Sequence, residues 1–173
     1  MRLFIAINFG SDAKDCLLAL RDELSSHSIR GNFSLPDNLH LTLAFLGECD
    51  GSETTAAKTA MDSVAYTPLS ILIERVGRFK RNGGDIWWAG VRESRPLLAL
   101  QANLTDKLIV ASFELDQRKY NPHITLGREV ITNVDPWEIE PFGEAVSSIE
   151  LMKSERIGGK LTYTAIYSKR AAP

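Results

Sequence analysis

The chain has 173 residues, 44% of them apolar and 24% charged, an ordinary globular composition far from that of a disordered segment. Its formal charge of −2, from 20 basic and 22 acidic residues, argues against a protein that coats long stretches of nucleic acid. Recognition of a single nucleotide or an RNA end stays open. The apolar runs, such as Leu3–Ile7, are too short to span a bilayer, and Met1-Arg2 followed by five apolar residues lacks the length and cleavage site of a secretory signal. Cys16 and Cys49 have no paired spacing, which suggests reduced thiols in a cytosolic protein.

Arg2–Phe9 reads as a buried strand. Ser11 or Asp12 then caps a helix whose apolar residues Cys16, Leu17, Leu20 and Leu24 recur at helical spacing, fading around Ser25–Gly31. Phe33–Leu35 is a short strand before Pro36. Leu39–Leu46 alternates with the period of a strand and stops at Gly47. Asp50–Ser52 opens a second helix through about Tyr66, ended by Pro68. Leu69–Phe79 and Asp85–Val91 are two strands joined across Lys80–Gly84, a turn with paired glycines. Pro96 suits the first turn of a helix running to about Ser112. His123–Val130 is a strand, Asp135–Glu140 a short helix, and Ala145–Lys153 with Leu161–Lys169 a hairpin around Gly158-Gly159.

Helices segregated from hairpin-joined strands predict an α+β fold of largely antiparallel sheets, in one unit over residues 1–173 with no linker. A faint repeat runs through it. Strand, helix and histidine-bearing strand occur in Arg2–Leu46 and again in Asp85–Val130, with the histidines 83 residues apart. A duplicated, two-lobed domain gives that pattern.

Two of the three histidines open the same tetrapeptide, His40-Leu41-Thr42-Leu43 and His123-Ile124-Thr125-Leu126. With 10 Thr and 21 Leu in 173 residues, chance produces this about once in ten thousand sequences. On a strand, each copy projects His and Thr on one face and plants two aliphatics in the core on the other. The next residue on the His/Thr face is small in both copies, Ala44 and Gly127, leaving space for a ligand. Either tetrapeptide alone is better explained as a strand with a structural histidine; the repeated pair is not. Facing strands of this kind converge two imidazoles and two hydroxyls. That set suits metal-free phosphodiester hydrolysis: one imidazole accepts the proton of a water, the other protonates the departing oxygen, and the hydroxyls grip the phosphoryl oxygens.

The paired motifs resemble the signature of the 2H phosphoesterase superfamily. Arg2–Ile7, Pro36–Leu43, Phe45-Leu46-Gly47 and Pro122–Leu126 are similar to the RNA 2′,3′-cyclic phosphodiesterases, first described as 2′-5′ RNA ligases, and the similarity runs to Tyr163. This resemblance implies a bilobal α+β domain with pseudo-twofold symmetry, helices outside, and the histidines facing each other across a central cleft. It implies opening of a 2′,3′-cyclic phosphate at an RNA end to a 2′-phosphate, with no metal or other cofactor, and a slow 2′-5′ ligation in reverse. His40 then acts as general acid on the 3′-oxygen and His123 as general base on water, a split that a symmetric site can exchange. Thr42 and Thr125 grip the phosphate. Arg128 matches a basic residue after the second motif, but strand parity turns it away from His123 unless a bulge at Gly127 brings it back. The partners implied are RNA 3′ ends with a cyclic phosphate, tRNA fragments among them, with no membrane, for a monomer. Two alternatives stand beside it: a non-catalytic nucleoside-monophosphate-binding module, and a phosphodiesterase for small cyclic phosphates such as an ADP-ribose derivative.

Weaker signals remain. Arg75, Arg78, Lys80 and Arg81 give Glu74–Arg81 a net charge of +3, beside Phe79, Trp87 and Trp88. The turn reads either as an RNA-end platform or as a solvated hairpin, and the tryptophans read as core. Phe4 borders the nucleotide or belongs to the core, with the core favoured. His27, at a helix end, has no expected catalytic role. No HxH, HExxH or CxxC spacing, nucleophile elbow or phosphate-cradling glycine loop occurs, and zinc is not expected.

Overall fold

Every residue from Leu3 to Ile7 is buried, as in a strand covered on both faces, and this strand sits at the heart of the molecule. A computed structural model describes residues 1–173. The elements are β1 (Arg2–Asn8), α1 (Ser11–Ser26), β2 (Ser28–Phe33), β3 (His40–Glu48), α2 (Gly51–Asp62), β4 (Leu69–Phe79), β5 (Asp85–Val91), α3 (Arg95–Val110), β6 (His123–Thr132), β7 (Trp137–Val146), β8 (Ser148–Ile157) and β9 (Lys160–Arg170). They form the expected α+β arrangement of two antiparallel sheets, ordered β3-β1-β8-β9 and β2-β6-β5-β4-β7. The halves of the chain exchange strands: β2 edges the five-stranded sheet, while β8 and β9 return to complete the four-stranded one. A core of 34 buried residues draws on both, with Leu17, Leu20 and Leu24 from α1 and Leu97, Leu100, Leu104 and Leu108 from α3.

The repeat has a structural counterpart. β1 pairs antiparallel with β3, and β5 with β6, so each motif strand lies beside the strand that opens its copy. The registers correspond: His40 lies opposite Asn8 at the end of β1, and His123 opposite Gly90 near the end of β5.

Four local expectations need correction. The N-cap of α1 is Gly10, not Ser11 or Asp12; its N–H is taken by Glu144 Oε1 from β7 at 2.8 Å, and Cys16 is exposed. α2 starts at an Asp50–Glu53 capping box as expected but stops at Asp62, short of Tyr66. The strand expected at Phe33–Leu35 is β2, at Ser28–Phe33; Ile29 and Arg30 are exposed on this edge strand, so no apolar alternation announces it. Asp135–Glu140 is no helix: Trp137-Glu138-Ile139-Glu140 alternates with period two and enters β7, where edge position tolerates Pro141.

Hairpin turns and one close approach explain the glycines that matter. Gly158 and Gly159 both have positive φ (58° and 80°), which the two-residue β8–β9 turn requires. Gly77 on β4 lies under the Trp88 ring, where a Cβ would sit 2.4 Å from Cη2. Gly77→Ala should therefore lift Trp88 and destabilise by about 1–3 kcal/mol, seen as a Tm loss of at least about 2 °C. Gly51→Ala, at a helix start with nothing within 4 Å of its Cβ, should leave Tm unchanged or raise it. Equal Tm for wild type and Gly77→Ala would refute this account of the sheet surface.

Candidate active site

Each motif opens its strand, and burial alternates as the pattern requires: His40 and Thr42 are half-buried while Leu41 and Leu43 are buried, and His123 and Thr125 are half-buried while Ile124 and Leu126 are buried. The chain then holds each imidazole by one nitrogen. His40 Nδ1 lies 2.9 Å from Asn38 O, and His123 Nδ1 lies 2.6 Å from Asn121 O. A carbonyl oxygen only accepts, so Nδ1 carries the proton in both rings and Nε2 is left to exchange one. His40 Nε2 is 2.9 Å from Thr42 Oγ1, a contact in which the hydroxyl donates to the neutral ring.

Both motif strands break register right after the threonine. On β3, Thr42 pairs with Ala6 but Ala44 pairs with the very next residue back, Ile5; on β6, Thr125 pairs with Trp88 and Gly127 with Trp87. One extra residue is therefore inserted in each strand, and Leu43-Ala44 and Leu126-Gly127 are consecutive buried pairs. The bulges turn the small residues Ala44 and Gly127 to the buried side with Leu43 and Leu126, not onto the His/Thr face where unbroken alternation would put them as room for a ligand. A Cβ on Gly127 would meet Phe33 at 3.0 Å. The bulge resets parity, so Arg128 returns to the side of His123 instead of pointing away. Arg128 is exposed, and its charge is felt at His40, His123 and Tyr163.

Side-chain bonds brace both bulges. Tyr120 Oη, just before the second motif, donates to Thr42 O at 2.8 Å and so links the two sheets. Ser34 Oγ, where the chain leaves β2 beside β6 on its way to the first motif, donates to Thr125 O at 2.8 Å. Burial pushes the Tyr120 phenol pKa upward, so it remains a donor.

A contacting pair of aromatic rings packs against each imidazole. His40 lies against Phe4 (centroids 4.7 Å apart) and Tyr163 (5.2 Å, edge-on), which touch each other at 5.0 Å. His123 lies against Phe79 (5.1 Å, edge-on) and Trp88 (6.1 Å), which are 5.3 Å apart. This burial disfavours imidazolium. It lowers the His40 pKa to about 4, against the bond to Asn38 O, with Arg128 and His123 as further opposing charges. His123 is lowered too, first by burial and then by Arg128, against its bond to Asn121 O.

The remaining residues singled out in the sequence fall as follows. Trp87 is fully buried core, as expected, but Trp88, though buried, lies outside the main core and packs against Phe79 and His123, because neighbours on a strand face opposite ways. Phe4 is buried, yet apart from the main core, in a small cluster with Ala6 and Met152 that lies against His40. His27 ends α1 in solvent and takes no part. Lys80 and Arg81 line the hairpin tip beyond Phe79. Sequence reasoning missed Tyr163, Tyr120 and Ser34. Tyr163 reaches His40 only because β8–β9 docks beside β1, which no local pattern reports; Ser34 and Tyr120 stand just upstream of the motifs, and their proximity to the other motif was the available signal.

Residues 19–138 match the 2′-5′ RNA ligase superfamily. The chain is 32% identical over 152 residues to an RNA 2′,3′-cyclic phosphodiesterase of Archaeoglobus fulgidus, covering 83% of this chain and 85% of that protein. It is 28% identical to the RNA 2′,3′-cyclic phosphodiesterase of Escherichia coli over 95% of this chain and 93% of that one. The crystal structure of E. coli LigT complexed with 3′-AMP superposes with a TM-score of 0.86 at 25% identity, covering 99% of this chain and 98% of the other. Paired motifs on bulged strands, a matching fold and a family match over most of the chain agree: this protein belongs to the 2′-5′ RNA ligase superfamily.

Proposed function

We propose that the protein is an RNA 2′,3′-cyclic phosphodiesterase that hydrolyses a terminal cyclic phosphate to a 2′-phosphate. The observation that carries the reading is the pair of imidazoles, each held at Nδ1 by a backbone carbonyl so that Nε2 is the exchanging atom. A cleft that only bound nucleotides would have no use for two such proton carriers. The shared core of 34 residues supports treating residues 1–173 as one bilobal domain, and the relatives named RNA 2′,3′-cyclic phosphodiesterase support RNA ends as the substrate.

In this reading His123 Nε2, which bonds no protein side chain, accepts the proton of a water as its oxygen attacks phosphorus. The P–O3′ bond breaks, and His40 Nε2–H delivers its proton to O3′, leaving a 3′-hydroxyl and a 2′-phosphate. The Thr42 and Thr125 hydroxyls donate to the non-bridging oxygens, and Arg128 offsets their charge. Each turnover ends with the proton on His123, and exchange with solvent restores the starting state.

His40→Ala or His123→Ala should each lower kcat about 10²–10⁴-fold on an oligonucleotide ending in a 2′,3′-cyclic phosphate. Thr42→Val or Thr125→Val should each cost roughly tenfold or more. Full activity in either histidine variant would end the proposal. Turnover should persist in excess chelator, and the product should keep its phosphate on the 2′-oxygen; a 3′-phosphate product would overturn the assignment of the leaving oxygen.

The pH profile follows from the lowered basicities. Both rings give up protons more readily than a free imidazole, so the singly protonated pair is populated only on the acid side of 6.5, with the lower limit near 4. The kcat/KM profile should be a bell lying below about pH 6.5 and falling as pH rises through neutrality. The kcat profile, which reports the complex, should lie higher because the bound anion raises both basicities. A kcat/KM that still climbs above pH 7 would contradict this.

A further inference from the structure

The cyclic-phosphate chemistry leaves unused a group of cations on the β4–β5 hairpin. Four basic residues stand against one acid in Glu74–Arg81, a net +3 in a chain whose total is −2. Two of the four are already engaged. Arg75 lies 3.4 Å from Glu74 and over the Trp88 ring at 5.5 Å; Arg78 lies 3.8 Å from Asp85 and over Trp87 at 5.4 Å. Lys80 and Arg81, at the tip, are exposed and have no carboxylate partner. The same holds for Arg30 on β2, whose Nη2 reaches Gly83 O across the tip at 3.4 Å.

The shape and the path to the cleft matter as much as the charge. Lys80, Arg81, Asn82 and Asp85 surround a surface hollow of about 470 Å³. Asp85 is its one acid, and that carboxylate is occupied by the Arg81 N–H at 2.9 Å and by Arg78. Glu129, whose backbone abuts Gly84, and Asp135, next to the Val134 carbonyl that Arg78 reaches, are further acids near this end of the sheet. The Arg81 guanidinium lies 5.7 Å from the Phe79 ring centre, and that ring stands edge-on to His123 at 5.1 Å. The free cations therefore begin one aromatic ring away from the cleft, on the His123 side.

Resting on the cyclic-phosphodiesterase reading, we propose that the hairpin tip binds the single-stranded body of the RNA whose cyclic end occupies the cleft, with Lys80, Arg81 and Arg30 meeting backbone phosphates. A polyanion with a charge on every nucleotide suits exposed cations without carboxylate partners, and contacts to phosphate give affinity without sequence preference. The surface distinguishes RNA ends from small cyclic nucleotides: a mononucleotide fills the cleft and never reaches the tip.

The test compares two substrates, 2′,3′-cyclic AMP and a decanucleotide ending in a 2′,3′-cyclic phosphate, in wild type and the Lys80→Ala/Arg81→Ala double variant. The variant should raise KM for the decanucleotide roughly fivefold to tenfold at low salt, leaving kcat/KM for cyclic AMP unchanged, which also shows that it folds. In wild type log KM for the decanucleotide should rise with log salt, and the variant should lose about 0.7 of that slope per cation removed. Equal changes for both substrates, or none, would overturn the proposal. If wild type turns over neither substrate, the catalytic reading fails by itself. Anisotropy with a labelled decanucleotide ending in a 3′-phosphate then decides the tip alone: weaker, less salt-dependent binding by the variant upholds it, and identical binding rejects it. An acidic peptide that competes with the decanucleotide while single-stranded RNA of the same length without a terminal phosphate does not would point to a protein partner instead and also reject it.

Discussion

Two carbonyl oxygens, Asn38 O and Asn121 O, determine what the cleft can do. Each stands two residues before its histidine and takes the Nδ1–H of the ring, at 2.9 Å and 2.6 Å. With that nitrogen committed, the tautomer is no longer a choice and the exchangeable position is Nε2. The restraint is local, arising where the chain enters β3 and β6, so it survives adjustments elsewhere in the sheets. An aromatic pair packs against each ring, Phe4 with Tyr163 at His40 and Phe79 with Trp88 at His123. Binding to a backbone group rather than to a carboxylate also matters. A carboxylate at the same place would raise the basicity of the ring strongly, whereas a neutral carbonyl raises it less than burial lowers it.

The two lobes match closely up to the threonine and then diverge in one informative place. Both strands bulge after Thr42 and Thr125, and both carry a small residue in the bulge. The next residue is exposed in each copy, and it is Phe45 in the first and Arg128 in the second. One framework thus presents an aromatic ring on the His40 side and a permanent cation on the His123 side. A symmetric pair of cations would have lowered both histidines further, and a pair of aromatics would have left the phosphoryl charge unmet. Tyr120 ties the first bulge to the segment leading into the second motif, and Ser34 ties the second bulge to the end of β2, where the chain turns toward the first motif.

Much of this was legible in the sequence wherever the information is local. Parity alone put His40 with Thr42 and His123 with Thr125, and the β4 and β5 limits fall at Leu69–Phe79 and Asp85–Val91 because turn glycines punctuate them. The bulge at Gly127 could be posed as the condition under which Arg128 joins the site, because unbroken strand parity turns Arg128 away from His123. Edge strands were harder. β2 shows most of its residues to solvent, and β7 carries a proline and alternating glutamates, so neither has the apolar stripe that identifies a covered strand. The contacts of Tyr163 and Trp88 were not legible at all, because they depend on which strand docks beside β1 and which side of β5 faces the cleft.

The lowered basicities pose the question of how the site obtains its proton. Burial leaves both rings less basic than a free imidazole, with His40 lowered to about 4. The proposed reaction needs a proton on His40, which its burial opposes. A phosphodiester anion entering between the rings supplies the missing favourable charge, because the groups that oppose protonation in the empty site, Arg128 and the other imidazole, then face a negative centre. Burial that costs the imidazolium its hydration also strengthens its attraction to that anion, since few solvent dipoles stand between them. The acid is therefore charged mainly when an anionic phosphate is present to receive its help, and an uncharged ligand of the same shape would find two neutral rings.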